Sequence, residues 1–130
     1  MIIDVTNELY TELKNTLTGI TVLPSYPDTT PSFPCVTIEE FSNETSINHV
    51  DTAGEKFNDV SLEINIFTNT ETKIYDAKQI RNSIDAILGD KYRMLRTFSN
   101  TVPNYADRSI YRYTLRYDFS VDSNRMIYKR

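Results

Sequence analysis

The only side chains that could form a nucleophile–base pair are Cys35 and His49, each the sole residue of its type in this 130-residue chain. Cysteine chemistry needs a thiolate beside a base, with a third group orienting that base. Cys35 falls in an alternating, strand-like run, where a solitary cysteine behaves as a small buried hydrophobe, and His49 falls in a polar stretch. A packing cysteine and a solvated histidine are expected, and a lone cysteine forms neither an intrachain disulfide nor a thiolate metal cluster. Glu39 and Glu40 are adjacent carboxylates, but neighbours on a strand point to opposite faces and cannot converge on one bond without a bulge. Asp118, Asp122 and Asn124 offer oxygen ligands without the acidic spacing of a calcium loop. The three glycines, Gly19, Gly54 and Gly89, are too scattered to cradle a phosphate. The expectation is a protein that is not an enzyme, with no catalytic residues, no cofactor and no metal.

Arg108, Arg112 and Arg116 recur at every fourth position. On a strand they share one face with Asp118, while Tyr111, Tyr113 and Tyr117 share the other. Aromatics interleaved with arginine can stack bases while the charges hold phosphate. A sequence pI of about 4.9 opposes that reading, and tyrosine at every second position is equally the signature of a sheet's core face. A small nucleic-acid- or ligand-binding module stays open beside core tyrosines with interfacial arginines. The net charge of −4 hides an asymmetry: residues 1–65 carry eleven acids against Lys14 and Lys56, whereas residues 66–130 carry twelve bases against seven acids. Either acidic and basic faces meet head to tail between copies, or the two halves mix in the fold and the asymmetry averages out.

The elements that position these residues follow from periodicity. Asp4 as N-cap, then Val5, Leu9, Leu13 and Leu17 with Gly19 as stop, predicts a helix over 4–18. A short strand at Ile20–Leu23 precedes a segment with Pro24, Pro27, Pro31 and Pro34, which excludes helix and central strand. Alternation predicts a strand at Cys35–Phe41, a long polar loop over Ser42–Lys56, and a strand at Phe57–Phe67. Thr68 and Glu71 have capping-box spacing. They are expected to open a helix carrying Tyr75, Ala77, Ile80, Ile84, Ile87 and Leu88 on its apolar face, stopped by Gly89. A strand over Lys91–Phe98, a turn at 100–104 and a long strand over Ser109–Val121 follow. The order α-β-β-β-α-β-β predicts one α+β domain over 1–130, a two-layer sandwich in which two helices pack a mostly antiparallel sheet of four to five strands. Met1-Ile2-Ile3-Asp4 lacks the basic and apolar regions of a signal peptide, and no apolar run approaches the ~20 residues of a membrane span, so a cytoplasmic protein without membrane contacts is expected.

Phe33-Pro34-Cys35-Val36-Thr37-Ile38-Glu39-Glu40 follows a short N-terminal helix and a proline-rich link. A polar loop leads to Val60-Ser61-Leu62-Glu63-Ile64-Asn65-Ile66-Phe67. The helix Tyr75–Leu88 then precedes Tyr111-Arg112-Tyr113-Thr114-Leu115-Arg116-Tyr117 and a final Ile127-Tyr128. In this order, across nearly the whole chain, the sequence resembles the tail-terminator (tail-completion, tail-to-head joining) proteins of tailed bacteriophages. The resemblance implies an α+β fold that forms a six-fold ring, caps the tail-tube protein when the tube reaches full length, and presents a surface to the head connector or stopper protein. It also implies DNA passing through the lumen without specific binding, assembly in the host cytoplasm, and a final place in the virion neck. The connector stopper and adaptor proteins of the same neck are the alternative. A ring needs a heterologous interface. The candidate interface residues are Arg108, Arg112, Arg116, Glu63, Glu39, Glu44, His49 and Asp51, with Arg112 and Arg116 expected to meet acids of the first half on a neighbouring subunit.

Overall fold

A computed structural model describes residues 2–46, 50–51, 54–55, 57–104 and 106–129. The N-terminal periodicity folds as α1 (Thr6–Thr16). Asp4 Oδ1 accepts the Thr6 N–H at 2.9 Å, so the cap-like carboxylate stands one residue ahead of Val5, the residue at the N-cap position. The Leu17 N–H closes the last turn on the Leu13 carbonyl at 2.8 Å. Gly19 then turns the chain at φ +77°, a conformation that costs glycine little. The helix is therefore shorter at both ends than the expected 4–18.

After α1 come β1 (Thr21–Leu23), the proline-rich link and β2 (Cys35–Thr45), which pairs with β1 in parallel. β2 runs further than expected, taking Ser42–Thr45 out of the anticipated loop and into a ladder with the start of β5 (Phe57–Thr68). The reason is a polar set that the fold satisfies. Asn43 Nδ2 donates to the Ile3 carbonyl at 2.8 Å, and Asn58 Nδ2 donates to Asn43 Oδ1 at 2.9 Å. Within the remaining loop, β3 (Val50–Asp51) and β4 (Gly54–Glu55) form a short antiparallel hairpin. His49 lies outside the described residues, and only the backbone of Asp51 is described.

Helix α2 (Lys73–Asp85) opens later than the Thr68–Glu71 pattern predicts. Thr68 Oγ1 donates to the Lys73 carbonyl at 2.8 Å, and the hydroxyls of Thr70 and Thr72 both turn to the Asp76 carboxylate, so no capping box forms. Gly89 does not stop the helix. It sits inside a π-helical turn, Ala86–Lys91, that continues α2 and delays the next strand, β6, to Leu95–Thr101. β7 (Tyr111–Asp122) and β8 (Ile127–Lys129) complete the chain. The sheet order is β1-β2-β5-β7-β6, with β8 beside the end of β7, and every pairing except β1–β2 is antiparallel. This is an α+β protein with two helices on a curled sheet of six strands. The expected strands are all in the sheet, which gains one more, β8; the β3–β4 hairpin, also unexpected, stands apart from it.

Both helices cover one face of the sheet. Leu9 and Leu13 of α1 and Ala77, Ile80 and Ile84 of α2 meet Val36, Ile38, Val60, Leu62, Ile64, Ile66, Leu115, Tyr117, Phe119 and Val121 in one buried cluster. Burying one large apolar side chain contributes roughly 1.5–3 kcal/mol, against ~0–1 kcal/mol for an exposed ion pair, so this face holds the fold. Tyr75, expected on it, is instead 65% exposed, because two residues from Ala77 place it about 200° around the helix.

The central placement of β5 between β2 and β7 interleaves the acidic and basic halves of the chain. Glu8 pairs with Arg125 at 2.6 Å and Glu12 with Lys91 at 2.8 Å, while Glu63 pairs with both Arg112 and Arg116. Part of the asymmetry is thus neutralised inside the monomer. Glu40 shows the opposite situation. Burial pushes its carboxyl up, and the charge and hydrogen bond of Asp4 push the same way. A carboxyl with a raised folded-state pKa binds its proton more tightly when folded, so its ionisation opposes folding as pH rises through that value. Glu40→Gln is expected to raise the melting temperature at pH 7 and to leave it unchanged at a pH where Glu40 is protonated. Thermal melts at several pH values check this.

Candidate interface on the open sheet face

The other sheet face carries no helix, and the ladders fix what stands side by side on it. Glu44, Asp59 and Ser120 form one row; Ser42, Ser61, Asp118 and Leu95 the next. Glu39, Glu63, Arg116 and Phe98 form the third, and Thr37, Asn65, Thr114 and Asn100 the fourth. Period-two alternation brings Glu39, Glu63, Arg112 and Arg116 onto one surface, as their spacing predicts, and Glu44, expected in the loop, joins them because the register shifts between Glu40 and Ser42.

Two irregularities flank the third row. The register slips between Glu40 and Ser42 on β2 and between Arg96 and Phe98 on β6. Such bulges re-aim side chains. Here Phe41 and Phe98 both turn onto Arg116, whose guanidinium carbon lies 4.6 Å and 5.4 Å from the two ring centroids. Contacts of this type contribute roughly 0.5–1 kcal/mol at exposed sites. Phe41 is 57% exposed, Leu95 42% and Phe98 36%.

Glu63 anchors the charges below. Its Oε2 accepts from Arg116 Nε at 3.3 Å, its Oε1 accepts from Asn65 Nδ2 at 3.1 Å, and Arg112 Nη2 lies 3.6 Å from Oε1. Arg112 Nε and Thr114 Oγ1 both donate to Asn65 Oδ1, at 2.9 Å and 2.7 Å. Within the chain the two arginines are thus engaged by an acid of the same strand ladder, Glu63. At the Arg112 end the face dips into a concavity of about 270 Å³ that Tyr26, Thr37, Asn65, Phe67 and Asp107 help to line. Arg108 lies apart, in the β6–β7 loop, on a second concavity of about 310 Å³ shared with Lys73 and Arg112.

The tyrosines lie on the covered face. Tyr117 is fully buried with its hydroxyl donating to Asp85 Oδ1 at 2.7 Å, and Tyr113, 6% exposed, meets Ser99 Oγ at 2.8 Å. Neither offers a ring to a stacked base. Cys35 is buried, and that burial pushes its thiol up, away from the reactive thiolate. Glu39 and Glu40 diverge as expected, one opposite Glu63 and the other opposite Leu62. Among the described residues no group of three or more His, Cys, Asp or Glu is placed to hold a metal ion, and no helix is long and apolar enough to cross a membrane.

Sequence reasoning missed Phe41, Leu95 and Phe98, since a bulge shifts the alternation that would assign them a face. It also missed Ile74 and Tyr75, 51% and 65% exposed at the start of α2. Their signal was present: neither keeps phase with Ala77, Ile80 and Ile84. The fold and this surface define an α+β protein whose two helices cover one side of the sheet. The other side is packed at one end by a small cluster of Cys35, Phe67 and Ile110 with Leu23 and Phe33, and elsewhere presents arginine between aromatic rings. The chain matches no protein-family model and no curated protein.

Proposed function

We propose that this protein is a structural, ring-forming component of a tailed-phage virion, of the tail-terminator type. In this reading it is a two-layer α+β sandwich whose uncovered sheet layer serves assembly. It caps the tail tube at full length and joins it to the head connector or stopper protein. The observation that carries the reading is the open face itself, where Phe41, Leu95 and Phe98 stand exposed around Arg116. Aromatic residues and arginine are the types enriched at the buried centres of protein interfaces. The resemblance in element order supports the same assignment, and the net charge of −4 suits a lumen through which DNA passes without sticking. Assembly takes place in the host cytoplasm, the mature location is the virion neck, and the protein acts without catalysis or cofactor.

Deleting the gene from its phage tests this. The expected result is tails of uncontrolled, excessive length. Normal tails on heads that leak DNA would instead assign the chain to the stopper or adaptor position of the same neck, and normal, infectious particles would contradict both.

A further inference from the structure

Two surfaces carry exposed apolar side chains beside charges that make no ion pair among the described residues, and they lie on opposite layers. On the open sheet face Phe41 is 57% exposed. Its neighbours Glu39 and Glu44 are exposed and make no ion pair among the described residues. Glu44 stands directly opposite Asp59, a second acid. On the outer side of α2, Ile74 and Tyr75 are exposed beside Lys78, which also makes no ion pair among the described residues. These residues line a shallow concavity of about 460 Å³ together with Lys73, Thr72 and Glu71, so two lysines outnumber one acid at its rim.

We infer that the occupant of the acidic sheet patch is the α2 patch of a second copy of this chain. Phe41 enters the concavity between Ile74 and Tyr75, and Lys78 meets the acids of β2. The charges are complementary, so the pair is steered together and held in one register. The two patches cannot meet within one molecule, because α2 packs on the face of the sheet opposite to Phe41. The contact is therefore heterologous, the kind that closes rings or propagates filaments. This deepens the ring reading above and rests on it in requiring self-association.

Two variants test it: Phe41→Ala with Glu44→Lys to spoil the sheet patch, and Tyr75→Ala with Lys78→Ala to spoil the helix patch. All four positions are exposed, and circular dichroism with thermal melts verifies that each variant folds. Mass is read by sedimentation velocity, alone and with purified tail-tube protein. Each variant alone is expected to stay monomeric where the wild type assembles. An equimolar mixture is expected to stop at a one-to-one dimer, since only one intact patch of each kind remains. Variants that assemble like wild type overturn this interface while leaving the ring reading standing. A wild type that stays monomeric throughout, with tube protein present, overturns both.

Discussion

Replacing Gly89 by alanine is expected to destabilise the protein by about 1–3 kcal/mol, the usual range for overpacking, and to do so through Asp85. A β-carbon at Gly89 would stand 2.6 Å from Asp85 Oδ1, and the backbone there is not left-handed, so the cost is contact rather than strain. A mobile carboxylate would move aside. This one is pinned, accepting the buried Tyr117 hydroxyl at 2.7 Å and pairing with Arg96 at 2.9 Å. The tyrosine bond dominates, because Tyr117 is fully buried whereas the Arg96 side chain is 49% exposed and its pair is worth ~0–1 kcal/mol. Burial, reinforced by Asp85, pushes the Tyr117 hydroxyl far up, so it stays a donor at any ordinary pH. Asp85→Ala leaves that hydroxyl without its acceptor, at a cost of about 1–3 kcal/mol. The two changes are not additive. Once Asp85 is alanine the clash is gone, and Gly89→Ala is expected to become neutral or stabilising, since alanine is favoured over glycine in a helix by ~1 kcal/mol. Urea unfolding of both single variants and the double variant measures the coupling. Additive losses would mean that the π-turn glycine answers to something other than Asp85.

Glu63→Ala is the second large effect. The Glu63 side chain is only 17% exposed and is the shared partner of Arg112, Arg116 and Asn65. Truncation leaves two guanidinium groups side by side on one face and an amide donor without its acceptor. A loss of about 1–3 kcal/mol is expected, with part regained by Glu63→Gln, which restores an acceptor but not the charge. Arg116→Lys is expected to cost less stability yet loosen Phe41 and Phe98, because an ammonium cannot stack between two rings as a planar guanidinium does. Denaturant melts give the first result, and a Glu63→Ala variant within 0.5 kcal/mol of wild type, inside the scatter of ordinary surface substitutions, would contradict the anchoring role.

What the sequence made legible was whatever kept a constant period. Val60 to Ile66 and Tyr113 to Val121 alternate without interruption, and those strands, their buried faces and the grouping of Glu63 with Arg112 and Arg116 follow directly. Leu9 and Leu13 likewise place α1. What was not legible broke period for reasons set elsewhere in the chain. Ser42–Thr45 look like loop because the partners of Asn43 are Ile3 and Asn58, remote in sequence. Phe41 and Phe98 reach Arg116 only through bulges. Gly89 reads as a helix stop by type, yet it serves close approach to Asp85, a contact that depends on Tyr117 and Arg96 from two other strands. The charge asymmetry of the two halves was visible in full, but its partial neutralisation required knowing that β5 lies between β2 and β7.

We propose that this chain works by assembling with copies of itself on a tail tube. The direct measurement is the solution mass by light scattering at low and high salt, alone and with tail-tube protein. A hexamer, or a monomer that becomes one on the tube and weakens as salt screens its charged contacts, is the predicted result. A monomer indifferent to salt and to the tube would rule out self-assembly on the tail.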